Sequence, residues 1–121
     1  FRCFFFYRPR DVLYQRIEAR CDQMLKSGLV EEAAQLIDYG ILENPSAMHA
    51  IGYRQALAFL KSGQTQEDYK HFVREFKKVS RHYAKRQFTW FRKETIYRWV
   101  DVELHDYELT LDAIIHDYFL P

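Results

Sequence analysis

The twelve residues HYAKRQFTWFRK, 82–93, carry four aromatic rings and five basic groups: Lys85, Arg86, Arg92, Lys93, and His82 when protonated. Cations interleaved with rings suit an unstacked nucleic-acid strand. Lysine and arginine meet the phosphates, while aromatic and guanidinium planes meet the bases. The surrounding charge agrees. Residues 65–93 contain nine Lys/Arg against three acidic residues, a local balance of +6, whereas the whole chain of 121 residues is only +1. This asymmetry predicts a basic working face on an otherwise acidic body.

Signals for other chemistry are weak. His49, His71, His82, His105 and His116 show no metal-ligand spacing. Cys3 and Cys21 are too few for a zinc site or a disulfide framework, so a reducing compartment is expected. Four glycines, none near another, leave no phosphate-cradling loop. No histidine is placed beside a nucleophile. The chain is therefore expected to contain no catalytic centre and no metal site, and to bind or position a substrate. No apolar run reaches the roughly 18 residues that span a bilayer. The opening FRCFFFYRPR is short and lacks the small-residue cleavage site of a secretory signal. A cytoplasmic location without a membrane partner is expected. The chain begins at Phe rather than Met and reads as a fragment.

Residues 2–7 form an aromatic run stopped by Pro9 and read as a strand. Leu13, Ile17, Cys21, Met24 and Leu25 recur at helical spacing over 12–26, and Gly28 ends that helix. A second helix is expected over 30–39, stopped by Gly40. A third is expected over 46–61, with Ser46 as its cap and Leu57 and Leu60 on its buried side. Gly52 is odd inside a helix, where it costs about 1 kcal/mol relative to alanine. It suggests close approach by another backbone or a ligand. The fourth helix is long, about 65–93, and Thr65 with Asp68 resembles a capping box. TIYRWV, 95–100, reads as a strand. A last helix over 108–119 is amphipathic through Leu109, Leu111, Ile114, Ile115 and Tyr118. The architecture is thus mostly α, about five helices with two short strands.

At about 100° per residue, Phe72, Phe76, Val79, Tyr83 and Trp90 share one sector of the long helix. Arg74, Lys78, Arg81, Lys85 and Arg92 share the opposite one. Five like charges on one stripe repel each other by a few tenths of a kcal/mol per neighbouring pair. The stripe reads either as a solvated helix back or as a rail whose counter-charge comes from an external polyanion. Phe88 and Phe91 fall outside the apolar sector and are expected to be partly exposed. Trp90 lies on that sector, where core packing is the ordinary outcome.

Three blocks in register carry a family resemblance: LYQRIEARCDQMLKSGLVEEAAQL (13–36), AIGYRQALAFL (50–60) and YAKRQFTWFRK (83–93). Together they resemble the C-terminal part of bacterial tRNA dimethylallyltransferases, over about residues 4–100. The resemblance implies an α/β P-loop, nucleotide-kinase-like prenyltransferase with a helical insertion. Such an enzyme moves a dimethylallyl group from dimethylallyl diphosphate to N6 of adenosine-37, next to the anticodon, with Mg²⁺ holding the diphosphate. It implies tRNA contacts at His49, Gly52, Tyr53, Arg54 and Gln55, and at Lys85, Arg86, Gln87, Thr89, Trp90 and Arg92. Arg20, and after it Arg16, would hold the diphosphate. The P-loop core, the general base and the insertion would lie outside this chain. Residues 1–121 would then be one C-terminal segment, inactive by itself and prone to self-association through exposed sheet edges. Cys21 stands where the family more often has valine or phenylalanine, a packing swap.

For individual residues both readings stand. Tyr53 suits ring stacking or core packing equally, and Gln87 suits substrate contact or an internal hydrogen bond. Two further classes of function fit the same residues: a free-standing helical RNA-binding module, and a protein-interaction domain whose basic helix meets an acidic partner.

Overall fold

A computed structural model describes residues 2–104 and 106–119, the side chains at 113 and 117–119 excepted. Its elements are β1 (Cys3–Tyr7), α1 (Arg10–Lys26), α2 (Leu29–Asp38), a 3-10 turn (Ile41–Glu43), α3 (Pro45–Met48), α4 (Tyr53–Lys61), α5 (Gln66–Arg92), β2 (Tyr97–Asp101) and α6 (Tyr107–Phe119). The mostly helical, two-strand architecture is as expected, with one more helix because the third is divided. The chain falls into two compact units, residues 16–84 and residues 1–15 with 85–121.

The 16–84 unit is built on Cys21, Leu29, Ala33, Ile41, Ala56, Leu57, Phe72 and Phe76, all buried. Ala33 and Ala56 are fully buried, which lets α2 and α4 pack closely. The Cys21 thiol donates to Ser80 Oγ at 3.6 Å, and Ser80 donates to the Phe76 carbonyl at 2.8 Å. Burial pushes the Cys21 thiol above its ordinary pKa. Thr65 and Asp68 cap α5 reciprocally, each side chain accepting from the other's backbone N–H at 3.1 Å.

The single helix expected over 46–61 is two. Asn44, not Ser46, caps the first piece, accepting from the Ala47 N–H at 3.1 Å. Gly52 then takes φ +97° and opens α4. An added Cβ at Gly52 would lie 3.4 Å from Phe76 Cε2 and 3.8 Å from Leu29 Cδ2. The close neighbour is therefore the core itself, rather than a second backbone or a ligand. The Gln55 side-chain oxygen accepts from the Gly52 N–H at 2.8 Å and fixes the start of α4. The Tyr53 ring packs on the core, and its hydroxyl donates to Glu32 Oε1.

In the other unit, β1 and β2 pair in parallel, with Phe5 opposite Trp99 and Tyr7 opposite Asp101. Among the described residues the sheet has only these two strands. The Phe5 ring lies 4.4 Å from that of Phe91, 5.8 Å from Phe88 and 4.5 Å from Trp99. Phe88 and Phe91 are half-buried, consistent with the partial exposure expected of them, and their covered sides meet the strand pair. Trp90 is 55% exposed and Tyr83 50%, although both share the sector of buried Phe72. A helix of 27 residues changes packing partners along its length, so one apolar sector does not describe it. In α6, Leu109, Leu111 and Ile115 are exposed, and Asp106 accepts from the Leu109 N–H at 2.8 Å. His105 and the Tyr118 side chain lie outside the described residues.

Two stability predictions follow from the α4 entry. Gly52→Ala combines a positive φ with the 3.4 Å approach to Phe76. It should cost about 1–3 kcal/mol in urea unfolding, and a change below about 0.5 kcal/mol would contradict that assignment. At Tyr53 the hydrogen bond to Glu32, reinforced by burial and by the carboxylate charge, raises the hydroxyl pKa above its ordinary 10.0. The folded state holds this proton more tightly than the unfolded chain does. Its contribution is therefore complete below the unfolded pKa and is lost as pH rises through the folded one. Tyr53→Phe should lower stability by at most about 1 kcal/mol at neutral pH. The gap between the two melting curves should narrow above about pH 10; a gap constant with pH would refute the bond.

Candidate nucleic-acid interface

The basic stripe of α5 is not uniformly unpaired. Arg81 donates to Glu18 Oε1 at 2.5 Å, and Lys78 lies 3.6 Å from Glu75. Lys77, beside the stripe, pairs with Asp22 at 2.8 Å. Both Glu18 and Asp22 come from α1, so the middle of the stripe is neutralised by a neighbouring helix. Arg74, Lys85 and Arg92 are exposed and have no carboxylate partner among the described residues. The expectation of a continuous rail is thus corrected: its Lys78–Arg81 stretch belongs to the fold, and Lys85 and Arg92 remain at its C-terminal end.

Those two cations open onto a cleft of about 440 Å³ in the unit formed by 1–15 and 85–121. Lys85, Thr89 and Arg92 repeat every three or four residues and so share one face of α5. All three line the cleft together with Phe88. The Arg92 guanidinium sits 5.8 Å from the Phe88 ring centroid. Such a contact orients the planar group while leaving its charge uncancelled. The Thr89 hydroxyl donates to the Lys85 carbonyl at 3.1 Å, so it faces the cleft chiefly as an acceptor. Arg86, Gln87 and Trp90 are exposed but do not line the cleft.

Arg8, Arg10 and Tyr14 form the rest of the polar lining. Arg8 is ion-paired with Glu103, whereas Arg10 stacks over Tyr14 at 5.8 Å and has no carboxylate partner among the described residues. The strand expected over 2–7 and stopped by Pro9 gave these arginines no role. A usable signal was present: Arg8 and Arg10 follow the carboxyl end of a parallel strand, where open α/β sheets place their ligands.

In the 16–84 unit the second expected group is only partly available. Gly52 is buried, the Tyr53 hydroxyl is engaged by Glu32, and the Gln55 carbonyl is used at the α4 start. His49 and Arg54 are exposed and line a cavity of about 200 Å³ with Lys61. Arg54 also borders a second cavity of about 370 Å³, near Gln55 and His71. Arg16 and Arg20 lie one turn apart on α1, both exposed and without an ion pair among the described residues. Among the described residues no group of three or more His, Cys, Asp or Glu stands close enough to hold a metal ion. No helix is long and apolar enough to cross a membrane.

Comparison with known proteins assigns the family. A family model described as IPP transferase matches residues 1–94. The chain is 56% identical over 120 residues to a tRNA dimethylallyltransferase of Protochlamydia amoebophila, covering 99% of this chain and 35% of the relative. It is 42% identical over 123 residues to one of Chlamydia pneumoniae, covering 98% and 35%. The chain therefore spans about a third of the length of these curated relatives. A solved tRNA delta(2)-isopentenylpyrophosphate transferase of Staphylococcus epidermidis superposes with a TM-score of 0.84 at 33% identity, over 97% of this chain and 37% of that one. The full-length tRNA isopentenylpyrophosphate transferase of Bacillus halodurans does so with 0.81 at 35% identity, over 96% and 37%. With most of its length matched by the family model, and with relatives well above 30% identity, this chain belongs to the IPP transferase family.

Proposed function

We propose that the protein transfers a dimethylallyl group from dimethylallyl diphosphate to N6 of the adenosine beside a tRNA anticodon. In this reading the chain is the C-terminal part of the enzyme and supplies part of the tRNA-holding surface. The observation that carries it is the cleft in which Lys85 and Arg92 face outward with no carboxylate to neutralise them. Lysines and arginines that neutralise RNA phosphates release the counterions condensed on the RNA, which drives association. Exposed Trp90, edge-on to Phe91 at 4.7 Å, offers a ring face for an unstacked base. His49 and Arg54, with Tyr53, Gln55 and the backbone at Gly52 behind them, would meet the RNA elsewhere, and Arg86 and Gln87 would add contacts beside the cleft.

An arginine of α1 would hold the diphosphate, Arg20 first and Arg16 second, as the family resemblance implies; both are exposed. A Mg²⁺ ion would neutralise the diphosphate as it leaves. Its ligands would come from elsewhere in the protein. The same holds for the P-loop core and the base that accepts the N6 proton. A cytoplasmic location follows from the substrate, and exposed Phe6 beside a two-stranded sheet supports self-association of the isolated segment.

Binding of an anticodon stem-loop across a salt series tests this reading. Lys85→Ala and Arg92→Ala should each weaken binding about fivefold to tenfold and lower the salt slope by roughly 0.7–1. Arg81→Ala should leave the slope unchanged, because Glu18 already neutralises that charge. Unaltered binding in Lys85→Glu and Arg92→Glu would rule out the tRNA role of the cleft.

A further inference from the structure

We infer that Arg10, braced by Tyr14, is a second phosphate ligand of the cleft, so that an RNA backbone phosphate is gripped from α1 as well as from α5. This rests on the RNA reading above and extends it to a wall that lies outside the basic block of α5.

The two walls match chemically. On each, a guanidinium stands 5.8 Å from an aromatic centroid: Arg10 over Tyr14 and Arg92 over Phe88. Ring stacking orders the guanidinium plane and leaves its N–H edge available for bidentate bonding to phosphate. Neither arginine has a carboxylate partner among the described residues, and neither does Lys85. The cleft therefore gathers three positive charges that the fold leaves uncompensated. Arg8 differs, because Glu103 has already neutralised it. It shapes the wall next to Arg10 without adding net charge.

The wall is also preformed. Pro9 ends the strand exit, and its carbonyl accepts from the Leu13 N–H at 2.9 Å, closing the first turn of α1 around Arg10. A volume of about 440 Å³ lies within the range of small-ligand pockets and accommodates a nucleotide unit rather than a duplex. The aromatic lining favours RNA over an acidic peptide such as polyglutamate, which has no aromatic rings to stack on Trp99.

The experiment compares stem-loop binding by the protein and its variants, with circular dichroism melts run in parallel. Arg10→Ala is expected to weaken binding about fivefold to tenfold and to reduce the salt slope by about 0.7. Arg10→Lys should restore the slope, which a purely structural role would not require. The Arg10→Ala, Arg92→Ala pair should be less than additive if both arginines hold one phosphate. Should Arg10→Ala lower the melting temperature, Arg10→Gln, which keeps the stem over Tyr14, gives the decisive titration. If Lys85→Ala loses affinity while Arg10→Ala and Arg10→Gln do not, the second wall is refuted and the RNA reading stands. If none of them loses affinity, both fall. Equal competition by polyglutamate at matched charge would overturn the assignment to nucleic acid.

Discussion

The packing of Phe88 is the contact on which the candidate interface depends. Its ring meets Phe5, Tyr7 and Trp99 of the strand pair, and the same ring carries the Arg92 guanidinium. Burying an aromatic side chain contributes a few kcal/mol, far more than any one exposed ion pair. Apolar packing therefore sets which face of the last α5 turns is turned inward. Lys85, Thr89 and Arg92 reach the cleft because they lie beside Phe88 on that helix. The charges have no need to hold themselves in place, and they remain available to a ligand.

A division of labour among the cations follows. Lys77 and Arg81 are paired with Asp22 and Glu18 of α1 and belong to the internal structure of the 16–84 unit. Partly exposed pairs of this kind contribute little to stability but discharge the surface locally. Lys85, Arg92 and Arg10 have no such partners among the described residues. Self-repulsion at three neighbouring cations is tolerable when a polyanion is the physiological counter-charge. On α5 the ion-paired Lys77, Lys78 and Arg81 thus stand apart from Lys85 and Arg92 near its C-terminal end.

The sequence made much of this legible, for identifiable reasons. Helix ends were readable where Gly28, Gly40 and the Thr65–Asp68 pair supply local backbone chemistry. The two strands were readable from short aromatic and β-branched runs, though not their parallel pairing. The break at 49–52 was signalled by Gly52, but its meaning needed Phe76, which is 24 residues away and known only from packing. Trp90 is exposed rather than packed in a core because helical periodicity names sectors, not the surfaces that cover them. The pairing of Arg81 was invisible within α5, since Glu18 lies on another helix. Arg10 was missed because its partners in the cleft come from both ends of the chain.

A structure of the protein bound to an anticodon stem-loop tests the central claim most directly. A backbone phosphate oxygen should lie about 2.7–3.0 Å from the Arg92 and Arg10 guanidinium nitrogens, with the Lys85 ammonium alongside. The claim would be contradicted by RNA bound with the cleft vacant, or by carboxylates of the protein's own chain occupying the positions where those phosphates should lie.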